Sequence, residues 1–317
     1  MRTITALFVG LGSIGTRHLK NLANLCADRG WTLQADALRS DLTRPLRPGA
    51  AELLHAQYTD PAAAPAHYDM VFITNPTSLH AEALTRVKGR GEALFIEKPI
   101  FSAEQTGLAL DELLPAGQKA YVAAPMRWCG AMLALKDRLP ALHPYCARVI
   151  CSSYLPDWRP GVDYRTVYSA RKALGGGVTI DLIHEWDYLV ELFGVPEKLY
   201  NFKGTYSELE IDSDDLSVYI AKYPTLLAEV HLDYFGRGYR RSIELFCRDG
   251  SYLADFGKGT LTLPDGTVQH YEEDVNRRYE REMEYFVDYA LTGCGESCNP
   301  PALALKVLKL TLGENVQ

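Results

Sequence analysis

The sequence predicts an α/β protein in two parts. Residues 1–124 read as a doubly wound parallel sheet, and residues 125–317 as an α+β region with a largely antiparallel sheet. Three observations predict this. Short apolar runs alternate with helical periodicity through the first 124 residues, the pattern of parallel strands joined by crossover helices. From residue 198 to 263 the runs follow one another with only turn signals between them, as antiparallel strands do. The length of 317 residues suits two domains at roughly 100–200 residues each.

The elements follow in order. Ile4–Val9 is an apolar run of β-formers, and residues 14–27 place Ile14, Leu19, Leu22 and Leu25 at helical spacing. Thr32–Leu38 is the second strand, and residues 50–57 read as a helix. Asp69–Thr74 is a strand ended by Asn75-Pro76, residues 78–88 a helix, and Ala93–Ile96 a strand ended by Glu97-Lys98-Pro99. A helix over 102–114 and a strand at Ala120–Ala124 close the first part, with the last helix of the chain a candidate to pack back on it. The second part begins with a helix near 130–139 and a strand at 147–154. An aromatic, arginine-rich loop, three glycines (Gly175–Gly177) and a helix from Ile180 to Phe193 come next. Strands are expected at Lys198–Tyr206, Leu216–Ala221, Leu227–Asp233, Arg240–Cys247, Ser251–Asp255 and Thr260–Leu263, with closing helices at 275–291 and 301–312.

Composition narrows the class. Hydrophobic residues make up 47% and charged residues 23%, ordinary for a globular protein. The net charge of −7 argues against a bulk grip on nucleic acid or an anionic membrane. No apolar run has the length of a membrane span, and the opening run reads as a strand, not a signal peptide. Seven cysteines, odd in number and without a CxxC pair, suit a reducing, cytoplasmic location. Cys294 and Cys298 are the closest pair and are not expected to bridge. No His, Cys and acidic residues share a metal-ligand spacing, so no catalytic metal is expected.

Gly10-Leu11-Gly12-Ser13-Ile14-Gly15 is a GxGxxG between a strand and a helix. The first glycine allows the tight turn, the second a close approach of pyrophosphate, and the third close helix–strand packing. The helix start at Ser13 and Ile14 then offers free N–H groups to the phosphates. Which dinucleotide binds depends on the end of the second strand. If that strand ends at Leu38, Arg39 and Ser40 occupy the ribose position and favour NADP. If the register differs, Asp36 or Asp41 supplies an acid and favours NAD.

Glu97-Lys98-Pro99 follows a strand of this sheet, and ligands of such sheets lie beyond the carboxyl ends of the strands. Lys98 is therefore a candidate to meet a substrate oxygen near the cofactor. The segments VGLGSIGTRH, ITNPTSLHAEAL and FIEKP, together with the later GGGVTIDLIHEWDYLVELFG, resemble the Gfo/Idh/MocA oxidoreductases. The resemblance implies an NAD(P)-dependent dehydrogenase or reductase of sugars, cyclitols or nucleotide sugars. It also implies a homodimer or homotetramer formed through the open sheet of the second domain. Gly10, Gly12 and Gly15 match the family's cofactor loop, Asn75, Pro76 and His80 the segment lining the nicotinamide, and Glu97 and Lys98 its EKP with a catalytic lysine. Asp181 and His184 match the acid and histidine of its catalytic helix. Two residues separate them here where three are commoner, so Glu185 or Asp187 is a candidate to exchange roles with one of them. The DLxHExDYL variant resembles a sub-group often linked to surface-sugar genes.

The residues support the same chemistry independently. Asp181 and His184, at i and i+3 after three glycines that let the chain pass close to a ligand, are expected on one helix face. Oxidising an alcohol requires a group that takes the hydroxyl proton, and histidine titrates in the range this needs. Lys98 would stabilise the developing alkoxide. Arg159, Tyr164 and Arg165, in a loop that also holds Trp158, Asp163, Tyr168 and Arg171, are candidate substrate contacts. So is Arg127, which matches the family's Asn-x-Arg in its arginine but not its asparagine. The rival readings are a dinucleotide-binding regulator without chemistry, a reductase of an imine or enamine, and a cofactor-retaining oxidoreductase.

Overall fold

In the computed structural model, which describes residues 2–292 and 295–316, the chain divides into two units, residues 1–123 with 279–305 and residues 124–278 with 306–317. Cys294 lies outside the described residues, and so therefore does the Cys294–Cys298 pair.

The first unit holds a six-stranded parallel sheet: β1 (Thr3–Val9), β2 (Thr32–Leu38), β3 (Leu54–Tyr58), β4 (Tyr68–Ile73), β5 (Gly91–Ile96) and β6 (Lys119–Val122). Their order is β3-β2-β1-β4-β5-β6, so chain direction across the sheet reverses between β1 and β4. The last four residues of β1, β4 and β5 are all buried, as strands covered on both faces require. Crossovers include α1 (Ser13–Asp28), α2 (His80–Arg86) and α3 (Leu110–Leu113). Phe286, from the penultimate helix, packs edge-on against Phe72 and Phe95, with ring centroids 5.4 and 5.1 Å away. This places residues 279–305 with the first unit.

Two expected helices are corrected. Residues 50–57 form one 3-10 turn at Ala51–Leu53 and then β3, whose exposure alternates along LHAQY and which pairs in parallel with β2. Residues 102–114 give a 3-10 turn closed by a Ser102–Gln105 capping box and, past Gly107, the single turn of α3. The cap and the glycine use up the length a longer helix needed.

The second unit contains α4 (Gly130–Arg138), β7 (Cys146–Tyr154), α5 (Val178–Asp181), α6 (His184–Phe193), β8 (Lys198–Gly204), β9 (Leu216–Lys222), β10 (Leu227–Asp233), β11 (Phe235–Cys247), β12 (Gly250–Asp255), β13 (Thr260–Thr262) and β14 (Val268–His270). The helices α7 (Asn276–Thr292) and α8 (Pro301–Thr311) each span a boundary between the units. The eight-stranded sheet runs β14-β13-β12-β11-β7-β10-β9-β8, antiparallel except for β7 with β10. Along β7 the buried residues Ala147, Val149, Cys151 and Ser153 alternate with more open ones, so one face is covered and one is not. Trp186 of α6 meets Tyr219 of β9 edge-on at 5.2 Å on the covered face. β14 has no counterpart in the sequence reading.

The expected helix from Ile180 to Phe193 is two pieces. α5 ends at Asp181, the chain turns at Leu182 (φ −99°, ψ 31°), and α6 begins at His184. The Leu182 dihedrals lie outside the helical region, so the helical path is interrupted between the two pieces. Asp181 and His184 therefore do not share one helix face.

Candidate functional site

In the first unit the glycine loop sits where the strand order reverses. Gly10 follows β1 with φ +89°, and a Cβ on it would lie 2.8 Å from the Asn75 Cα beyond β4. A Cβ on Gly15 would lie 2.5 Å from the Gly10 carbonyl oxygen, so close helix–strand packing requires glycine there. Gly12 has open space around its Cβ position and caps α1 with no side-chain hydrogen bond. No acidic side chain lies in the first turn of α1. The N–H groups of Ser13, Ile14 and Gly15 are thus left to an anion by the geometry of a helix start. Asn75 donates through Nδ2 to the Leu79 carbonyl, while its Oδ1 is buried without a partner, an acceptor that suits a ligand amide or hydroxyl. These residues fit a dinucleotide.

At the end of β2, Arg39 is the first residue past the strand. Its guanidinium donates to Gln57 Oε1 at 2.8 Å and to the Arg44 carbonyl. Arg39, Arg44 and Arg47 line a cavity of about 390 Å³, and Ser40 is exposed beside it. Asp36 is buried and accepts from Tyr68 Oη at 2.8 Å, with His55 Nδ1 at 3.2 Å. Asp41 accepts from the N–H and hydroxyl of Thr43.

After β5, Glu97 and His80 depart from their expected roles as cofactor contacts. Glu97 is buried, its Oε1 2.6 Å from Nε2 of the fully buried His18 and its Oε2 accepting the Lys98 N–H at 3.0 Å. His80 is buried, with Nδ1 3.1 Å from the Ile100 carbonyl and Nε2 3.1 Å from that of Asn75. Both side chains are spent on holding the turns around Lys98 and Asn75. Lys98 itself is half-buried, and its peptide to Pro99 is cis. Burial alone would push the Glu97 carboxyl up, but the hydrogen bond and charge of His18, with Lys98, hold it below the ordinary carboxylate value. A lowered carboxyl stabilises the fold above its unfolded value near 4.5, and that stability is lost as pH falls through the folded value. His18→Gln is therefore expected to reduce the rise of unfolding free energy with pH just below 4.5, measured by urea titration. An unchanged slope would show that His18 does not set the charge of Glu97.

In the second unit, Asp181 is buried and accepts two phenol hydroxyls, Tyr168 on Oδ1 and Tyr234 on Oδ2, the latter at 2.5 Å. His184 is half-buried at the start of α6. Two of the three glycines serve the protein's own packing: a Cβ on Gly176 would lie 1.9 Å from the Tyr168 carbonyl, and Gly177, at φ +135°, faces Asp214. Neither neighbour of the helical acid and histidine is free to replace them. Glu185 is fully buried in a two-pronged pair with Arg241, at 2.7 and 3.1 Å. Asp187 takes two hydrogen bonds from Arg127, both at 2.8 Å.

Arg127, expected as a substrate contact, is instead 3% exposed and pairs with Asp187 and Glu191. A guanidinium in the interior needs such carboxylates to offset its desolvation. Arg159 is exposed. Arg165 is exposed but paired with Asp163 and Glu210, and Tyr164 Oη accepts the Glu210 N–H at 3.2 Å. Sequence reasoning missed His18 and Tyr234 and left Tyr168 without a role. The one available signal for His18 was its place three residues after Gly15.

Comparison with known proteins agrees with this architecture. Residues 4–123 match the model of an oxidoreductase family described by its NAD-binding Rossmann fold. Over 200 residues the chain is 27% identical to the inositol 2-dehydrogenase of Rhizobium meliloti, a match spanning 61% of this chain and 56% of that protein. An oxidoreductase from Agrobacterium radiobacter, solved with NAD+, L-tartaric acid and magnesium, superposes with a TM-score of 0.80 at 17% identity, covering 98% of this chain and 95% of the other. Myo-inositol 2-dehydrogenase from Lactobacillus plantarum does so at 0.76 and 19% identity, covering 98% and 96%. At such identities the structures speak for the fold alone. Through residues 4–123, with their glycine loop and strand order, this chain is similar to the Gfo/Idh/MocA oxidoreductases in their NAD-binding Rossmann domain.

Proposed function

We propose that this protein is an NADP-preferring oxidoreductase acting on a hydroxyl-bearing ring carbon of a sugar, cyclitol or nucleotide sugar. When bound, the nicotinamide supplies the hydride acceptor or donor. The observation that carries the reading is Lys98, a half-buried lysine at the carboxyl end of β5 in a parallel sheet whose strand reversal holds an open glycine loop. In this reading Gly10, Gly12, Ser13, Ile14 and Gly15 hold the pyrophosphate, and Asn75 and Pro76 line the nicotinamide. Lys98 donates to the reacting oxygen and stabilises its developing negative charge. His184 takes the hydroxyl proton in oxidation and returns it in reduction. Asp181 accepts from a substrate hydroxyl, and Arg159, Tyr164 and Arg165 form the flanking contacts.

Preference for NADP rests on Arg39 at the end of β2, with Arg44 and Arg47 in the loop beyond, and on the engagement of Asp36 by Tyr68. Tryptophan-to-nicotinamide energy transfer is expected to report NADPH binding at least about tenfold tighter than NADH, with Arg39→Ala removing most of the difference. Tighter NADH would overturn the preference. A screen of polyols with the preferred cofactor then tests the substrate class. The uncovered face of the second sheet exposes Tyr200, Phe202 and Leu227, which supports a homo-oligomer, and light scattering measures its mass.

A further inference from the structure

Asp181 is held from two sides. Tyr234, one residue past β10, is fully buried and donates to Oδ2. Trp158 stands edge-on to its ring at 5.2 Å, itself anchored by a hydrogen bond from Nε1 to Ser153 Oγ. Tyr168, from a separate 3-10 turn, donates to Oδ1. A carboxylate offers about four lone-pair positions, so two remain for other donors. With one donor on each oxygen, the plane of the carboxylate is fixed. With either removed, it is free to turn.

Tyr168 differs from its partner in one respect. It is 43% exposed, although its hydroxyl end lies in the protein. Its ring therefore adds little to the core, and what its contact holds is Asp181. The backbone beneath it is clamped. Ser213 Oγ donates to the Ser169 carbonyl at 2.7 Å, the Asp212 N–H to that of Ala170 at 3.2 Å, and Gly176 leaves no room behind the Tyr168 carbonyl. Burial and the Asp181 charge raise both phenols well above their ordinary value, so they stay donors at neutral pH.

We propose that Tyr168 is a positioning residue: with Tyr234 it fixes the plane of Asp181 and leaves the carboxylate's remaining lone pairs to a polyhydroxylated substrate. This rests on the reading of Asp181 as a substrate contact. It confines Asp181 to accepting hydrogen bonds and leaves proton transfer to His184. It also gives the glycines before α5 a purpose, since Gly176 sets the backbone that carries Tyr168.

The test uses the full-length protein, its Tyr168→Phe and Asp181→Asn variants and the double variant, with Tyr234→Phe as a second probe of the same carboxylate. Unfolding in urea without ligand is expected to show coupling, the second substitution costing less than it does alone. With myo-inositol, levoglucosan and D-glucose as substrates and NADP+ as oxidant, Tyr168→Phe is expected to lower kcat about 10- to 100-fold. KM and NADPH affinity should stay within about threefold, a split that a merely structural tyrosine would not produce. Additive unfolding costs, or an unchanged kcat in both tyrosine variants, would overturn the positioning role while leaving the enzyme reading intact. If the wild type turns over none of the three, the unfolding cycle decides the positioning role by itself, and additive costs overturn it. Wild-type activity in Asp181→Asn would remove Asp181, and Tyr168 with it, from the reaction.

Discussion

Lys98→Met is expected to lower kcat about 10²- to 10³-fold, the usual cost of removing one preorganised donor from a developing oxyanion. Methionine keeps much of the length and apolar stem of lysine while removing the ammonium. The turn around it is held by groups the substitution leaves in place: Glu97 on His18 and on the backbone N–H of residue 98, and His80 between the Asn75 and Ile100 carbonyls. Cofactor affinity should therefore change little, because the glycine loop at the end of β1 makes its contacts with other residues. Stopped-flow single-turnover kinetics beside an NADPH fluorescence titration separate the two. Loss of cofactor binding in step with kcat would assign Lys98 to the cofactor. Unchanged turnover would end its catalytic role.

Arg127→Met is expected to destabilise the second unit by about 3–5 kcal/mol, because it strands Asp187 and Glu191 without their buried partner. Both carboxylates are largely shielded, with side chains 8% and 13% exposed. Glu191 also keeps its contact with Lys136. Adding Asp187→Leu to Arg127→Met should regain part of the stability, since an apolar pair carries no uncompensated charge. Thermal and urea unfolding of the three proteins measure this. Equal stability of wild type and Arg127→Met would return the arginine to the list of ligand contacts. The outcome bears on function because Asp187 belongs to α6, the helix that His184 begins.

Much of the architecture was legible in the sequence. The alternation of apolar runs and helices through residue 124 carried the parallel sheet, since strands buried on both faces must be apolar throughout. The glycine pattern carried the turn from β1 into α1, because its positive φ and missing Cβ are properties of single residues. The end of β2 at Leu38, which puts Arg39 first beyond the strand, was read from local pattern alone. The errors arose where local pattern was ambiguous. LHAQY suits an edge strand as well as a helix turn until β2 is there to pair with it. Leu182 and Ile183 continue a helical pattern in sequence, and the turn that separates α5 from α6 there has no signal of its own in the residue types.

The tertiary structure decided which charged and polar side chains point inward and what they meet there. Glu97 reaches His18 across 79 residues, Arg127 reaches Asp187 across 60, and Asp181 reaches Tyr234 across 53. Glu97, His80 and Arg127 each carry the residue type of a ligand contact, and each is spent on the scaffold. Periodicity reports the burial of a face, which is a local property summed over a few turns. The partner of a buried charge is fixed by where distant segments come to rest, and its desolvation is offset only there.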